Sequence, residues 1–163
     1  MGKTAGKRFA EYIDGLTAAL GHADRDEPFR RYATGLLLPL VRHGPIAAWI
    51  IDDTGFPKKG KHSVGVARQY CGQLGKQDNC QVAVSLSVAN EAGSLPIDYR
   101  LYLPKDWAGD PARRAKAGVP DEISFQTKPS MALDQIRKAV ADDIPPGVVL
   151  ADAGPMEQVW ALI

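Results

Sequence analysis

The sequence predicts an α/β fold, a mixed sheet preceded by a helical segment. Three stretches carry that prediction. "IAAWIID", residues 46–52, is apolar almost throughout, which suits a central strand covered on both faces. "CQVAVSLSVAN", residues 80–90, places Val82, Val84, Leu86 and Val88 at every second position, so they share one face of a strand. "MALDQIRKAVADD", residues 131–143, reads as an amphipathic helix, and the apolar run "VVLADAG", residues 148–154, follows it. A helix between strands acts as a crossover and makes the last strand parallel to an earlier one.

The remaining elements follow in chain order. Phe9, Ile13, Leu16 and Leu20 give residues 7–20 helical spacing, with Gly21 as the stop. Residues 27–41 predict a second helix, with Pro28 in its first turn and Pro39 limiting its end. "HSVGVARQYCG", 62–72, alternates enough for a second strand, and "GKQDN", 75–79, reads as the turn before the third. "NEAGS" closes the third strand, and short turns make these three strands an antiparallel meander; "IDYRLYL", 97–103, then predicts a fourth strand. "DPARRAKAG" predicts a short helix capped by Asp110, with Pro111 first and Gly118 ending it. Ser130 is the expected cap of the crossover helix, with Leu133, Ile136 and Val140 turned inward.

Composition narrows the function classes. A chain of 163 residues is long enough for one domain with its own core. The net charge of +1 gives no global basic field, so phosphate binding must come from a local patch. Cys71 and Cys80 match no common zinc spacing, and His22, His43 and His62 are scattered, so the cysteines read as ordinary buried or half-buried thiols. No apolar run approaches the roughly 20 residues that cross a bilayer, and the N-terminus has no signal-peptide core. The expectation is a cytoplasmic protein with no membrane partner.

"AWIIDDTGFPKKGKHSVG", 48–65, concentrates the chemistry. An apolar strand runs into Asp52 and Asp53, and Lys58, Lys59 and Lys61 follow. "VVLAD" likewise ends on Asp152. If the crossover lays the last strand beside the first, these carboxylates meet at one end of the sheet, where such folds bind ligands. Converging carboxylates repel, and a divalent cation removes that penalty. Two such ions about 4 Å apart activate a nucleophile and stabilise the leaving oxygen of a phosphodiester. The lysines and Arg68 then meet the nucleic-acid backbone. Each motif taken alone also reads as a plain turn, because aspartate favours turns, and lysine clusters are usually solvated.

These residues carry a resemblance. "IDDTGFPKKGKHSVGVARQYCGQLGKQDNCQVAVSLSVAN", "YRLYLPKDWAGDPARRAKAGVP", "FQTKPSMALDQI" and "GVVLADAG" resemble, in order, the DDE-superfamily endonuclease domain of bacterial insertion-sequence transposases, of the insertion sequence 701 type. "EPFRRYATGLLLP" resembles the family's N-terminal helical region. The resemblance implies an RNase H-like fold with its first and fourth strands side by side. It also implies an acidic triad holding two Mg²⁺ or Mn²⁺ ions, cleavage of DNA at transposon-end inverted repeats, and strand transfer. Carried over by motif, the first acid is Asp53, just before Thr54, with Asp52 as the alternative metal residue, and the second is Asp152. Side chains alternate along a strand, so only one of Asp52 and Asp53 faces the metal. Lys58, Lys59, Lys61 and Arg68 are candidate DNA-backbone contacts.

Departures from the family shape the expected organisation. Gly154 is followed by Pro155 where the family has Tyr-Gly, and "PMEQVWALI" no longer resembles it. The third acid, far downstream in the family, is absent, and Glu157 is a poor substitute. The expected layout is a shortened helical segment over 1–45, a partial RNase H-like domain over 46–154 and a divergent tail over 155–163. An incomplete sheet would expose an edge and an apolar face. The expected function is therefore a transposase fragment inactive on its own. The alternative is a non-catalytic remnant that binds DNA or pairs with an intact transposase chain. A hydrolase for another phosphoester is supported only by the carboxylates.

Overall fold

The computed structural model describes residue 37 and residues 39–151. The helix expected over 7–20, most of that over 27–41, Asp152 and the tail, including Glu157, lie outside the described residues. Five strands form one mixed sheet: β1 Ala48–Pro57, β2 Ala67–Cys71, β3 Lys76–Asn90, β4 Gly93–Leu101 and β5 Val148–Ala151. Helices α1 Lys105–Ala108, α2 Pro111–Ala117 and α3 Lys128–Ala141 lie between β4 and β5. This mixed α/β architecture is consistent with an RNase H-like fold.

β3 is the spine. Along one side it pairs antiparallel with β1, from Ala48↔Ala89 to Pro57↔Cys80. Its other side is shared, with β2 on residues 76–80 and β4 on residues 83–90. β5 lies parallel to β1, in register from Ala48↔Val148 to Ile51↔Ala151. The crossover through α3 thus brings the last strand beside the first, the case the resemblance implies. The expected meander is not found: β1 pairs with β3, and β2 flanks β3 on its other side.

The core sits between the sheet and α3. Trp49 and Ile51 of β1, with Val84, Leu86 and Val88 of β3, pack against Met131, Ala132, Ile136 and Ala139. Burial of these apolar groups supplies the main driving force for docking the helix. Trp49 Nε1 donates to the Pro145 carbonyl at 2.8 Å, which ties the end of the crossover to β1. Gly147 then passes so close to β1 that a Cβ there would lie 2.8 Å from the Ala48 nitrogen.

Several local expectations need correction. β1 does not end at the aspartates: Asp52 pairs with Ser85 and Asp53 with Val84, and the strand continues to Pro57. A complete ladder on β3 outweighs the turn preference of Asp-Asp-Thr-Gly. The turn before β3 is Gly72–Leu74 closed by Gly75 at φ 63°, while Lys76–Asn79 already belong to the strand. The left-handed position falls to glycine, as its missing Cβ allows. β2 covers only Ala67–Cys71, and residues 62–66 are loop. Pro39 does not stop its helix, which continues to residue 42.

Thr127, not Ser130, caps α3, its Oγ1 accepting from the Ser130 amide at 3.3 Å. The buried stripe of α3 is Met131, Ala132, Gln135, Ile136 and Ala139; Leu133 is half-buried and Val140 exposed. Ile136 is buried as expected, and Gln135, also fully buried, donates to the Val84 carbonyl. α2 is as expected: Asp110 accepts from the Arg113 amide at 2.9 Å, and Gly118 closes the helix at φ 68°.

Candidate functional site

Alternation along β1 sets Trp49, Ile51 and Asp53 on the face covered by α3, and turns Asp52 to the opposite face. The start of α3 then determines what Asp53 meets. Lys128, the first residue of that helix, places Nζ 2.7 Å from Asp53 Oδ2. The pair is partly covered, with side-chain exposures of 21% for Lys128 and 39% for Asp53. The ammonium also stands 5.6 Å from the centre of the Tyr102 ring, within cation–π range. Burial raises the Tyr102 phenol above its ordinary range. On the other face, the Asp52 carbonyl accepts from Ser85 Oγ at 3.4 Å.

Asp152 lies outside the described residues. The described register ends at Ile51↔Ala151, the residues directly before Asp52 and Asp152 in the chain. Among the described residues no group of three or more histidine, cysteine, aspartate or glutamate side chains is placed to hold a metal ion.

The expected phosphate-binding cations sit elsewhere. Lys58, Lys59 and Lys61 are exposed on the loop after β1, and Arg68 is exposed on β2 opposite Asn79. That loop is pinned at several points. Asn79 Nδ2 donates to the carbonyls of Lys58 at 2.6 Å and Gly60 at 2.8 Å. Gln81 Nε2 donates to Val64 at 2.6 Å, and Trp107 Nε1 to Val66 at 2.8 Å. Arg113 stacks 3.7 Å over the Trp107 ring and donates to the Lys61 carbonyl at 3.3 Å. Gly65, at φ 72°, runs so near the Tyr102 carbonyl that a Cβ would lie 2.6 Å from that oxygen. A small core of Val66, Leu103, Trp107 and Val119 closes the junction.

Asn79 and Gln81 alternate along β3 with Cys80 and Val82, so the side chains that pin this loop point away from the face of Asp53. The cation that the fold brings to Asp53 is Lys128 rather than a lysine of the loop. Sequence reasoning missed Lys128, Tyr102, Asn79, Gln81, Trp107 and Arg113. Lys128 carried a usable signal: it stands inside "FQTKPS", where a cation at a helix N-terminus opposes the macrodipole.

Cys71 and Cys80 are buried free thiols, as expected. Cys71 Sγ donates to the Gly55 carbonyl at 3.4 Å. Burial, and then the neighbouring Cys71, push the Cys80 thiol above its usual range. Among the described residues no helix is long and apolar enough to cross a membrane.

Comparison with known proteins agrees with this architecture. The family described as DDE superfamily endonuclease matches residues 13–154. A probable transposase for insertion sequence element IS701 from Microchaete diplosiphon is 34% identical over 127 residues, covering 78% of this chain. The chain spans 30% of the length of that relative. No solved structure matches. A family match over most of the chain and a mixed sheet with its last strand parallel to its first agree, and the chain belongs to the DDE superfamily endonucleases.

Proposed function

We propose that these residues supply the first two acids, Asp53 and Asp152, of a transposase endonuclease site that cuts DNA phosphodiesters. The observation that carries the reading is the parallel β1–β5 pair, which leads both acids toward one end of the sheet. The donor chemistry fits a hard divalent cation such as Mg²⁺ or Mn²⁺. Asp53 is a partly exposed carboxylate, and a cation, the Lys128 ammonium, already stands against it. Bound there, such an ion would polarise the phosphodiester and activate the attacking oxygen. Asp53 would hold it from β1, where it is paired with Val84 of β3.

Asp52 and Asp53 have separable parts in this reading. A strand continued past Ala151 would turn residue 152 toward the face of Asp52, because Ile51 and Ala151 are in register. Pairing with Asp53 requires the chain to leave the strand after Ala151. Calorimetric titration with Mn²⁺ tests this. Asp53→Asn and Asp152→Asn are each expected to abolish binding, while Asp52→Asn binds like the wild type. Loss with Asp52→Asn and retention with Asp53→Asn would reject the assignment.

Two carboxylates hold a metal pair less firmly than three, so the 163 residues alone are expected to show no strand transfer. Metal-dependent cleavage of inverted-repeat DNA by the purified chain would overturn that expectation.

The pinned loop favours a second reading, in which the chain binds DNA without cutting it. Lys58, Lys59 and Lys61 are exposed on a backbone held by Asn79, Gln81, Trp107 and Arg113. Such preorganisation serves phosphate contact whether or not the acids act. If about three phosphates are engaged, the logarithm of affinity falls against log salt with a slope near −3. A flat dependence would remove this reading. Pairing with an intact transposase chain is tested separately by co-purification.

A further inference from the structure

We propose that Lys128 is a positioning residue that occupies the cation position at Asp53 before metal loads, and contacts a DNA phosphate once the metal displaces it. The inference rests on the reading of Asp53 as a metal ligand. Three observations support it. Lys128 Nζ lies 2.7 Å from Asp53 Oδ2, so its charge stands where a divalent ion bound to that oxygen would repel it. Lys128 is the first residue of a 14-residue helix, where the macrodipole disfavours a cation. Helix stability therefore does not account for a lysine there, whereas a neighbouring carboxylate or phosphate does. Finally, the side chain is held short of full burial, 21% exposed, with the Tyr102 ring 5.6 Å away. A flexible four-carbon stem lets the ammonium leave Asp53 without moving α3.

The consequence is a competition. With Lys128 in place, Asp53 stays neutralised and resists a lone metal ion. DNA and metal arriving together satisfy both groups, because the phosphate takes the ammonium and the metal takes the carboxylate. Metal and DNA binding are then coupled through one side chain, and linkage makes the coupling reciprocal.

The test measures Mn²⁺ binding to the full 163-residue chain by loss of the free-ion electron paramagnetic resonance signal. Lys128→Met keeps the apolar stem and removes the charge. It is expected to bind Mn²⁺ about fivefold more tightly than the wild type, the range of a partly exposed ion pair. Lys128→Arg should restore weak binding, which loss of helix packing alone would not explain. Lys128→Gln serves as the uncharged variant if the methionine variant fails to fold, with the same tightening expected. Affinity for a DNA duplex in Mg²⁺ is measured in parallel across salt, and the uncharged variant should show a slope shallower by about 0.9, one phosphate contact. Equal or weaker Mn²⁺ binding by the uncharged variant, with Asp53→Asn still abolishing binding, overturns the proposal and leaves the metal reading intact. An unchanged salt slope likewise overturns it. Mn²⁺ binding that survives Asp53→Asn removes the metal reading itself, and the proposal with it.

Discussion

At the scale of single residues, the site is a contrast between near and distant partners. That Asp52 and Asp53 face opposite ways was legible because strand alternation is local, whereas the choice of Asp53 came from the family motif before Thr54. Lys128 was not legible, because its partner lies 75 positions away and only the docking of α3 brings them together. The thiols give a prediction at the same scale. Cys80 is raised above its ordinary value of 9.0 by burial, so the folded state keeps its proton after the unfolded chain has lost it. Tyr102 is raised above 10.0 for the same reason. Both contributions are fully present below the unfolded values and are lost as pH rises through the folded ones. Thermal midpoints should therefore hold up to about pH 9 and fall beyond it. Cys80→Ala should flatten the first part of that fall, and a midpoint that rises from pH 9 to 10 would contradict the assignment.

At the scale of elements, some short-range signals stand as read and others do not: Thr127 replaces Ser130 as the cap of α3, and the expected turn at 76–79 is strand. The Asp110 cap, Pro111 and Gly118 of α2 depend on neighbours within a few residues, and they stand as the sequence predicts. Asp-Asp-Thr-Gly carries a turn signal of the same kind, yet β1 runs through it because β3 offers ten partners in register. The loop after β1 shows the reverse dependence. Its shape comes from Trp107 and Arg113 in the segment between β4 and α3, which nothing local announces. Trp107 is 1% exposed, so Trp107→Ala should cost about 3 kcal/mol or more. Its lost bond to Val66 should also speed amide hydrogen exchange over residues 58–66. Unchanged exchange there would show that the loop is held without the insertion.

At the scale of the whole molecule, the crossover was legible and the rest of the sheet order was not, because β3 takes both β1 and β2 as partners in place of a consecutive meander. An amphipathic helix between apolar strands has few ways to return, and the parallel β1–β5 pair is the common one. The exact closeness of that return was not legible, since Gly147 is an ordinary glycine until it meets β1. Gly147→Ala would press a methyl group against the Ala47–Ala48 backbone. It should destabilise the chain by about 2 kcal/mol, as overpacking does, and loosen β5 first. A thermal midpoint equal to that of the wild type would show that the return is less tight. Among the described residues β5 is an end strand, with Val148 67% and Leu150 50% exposed.

The central claim is that two acids distant in sequence share one divalent ion at the end of this parallel pair. Anomalous diffraction from crystals of the chain soaked in Mn²⁺ tests it most directly. The expected result is a peak within about 2.2 Å of carboxylate oxygens of both Asp53 and Asp152. A peak at Asp52 in place of Asp53, or Asp53 and Asp152 too far apart to share an ion, would contradict it.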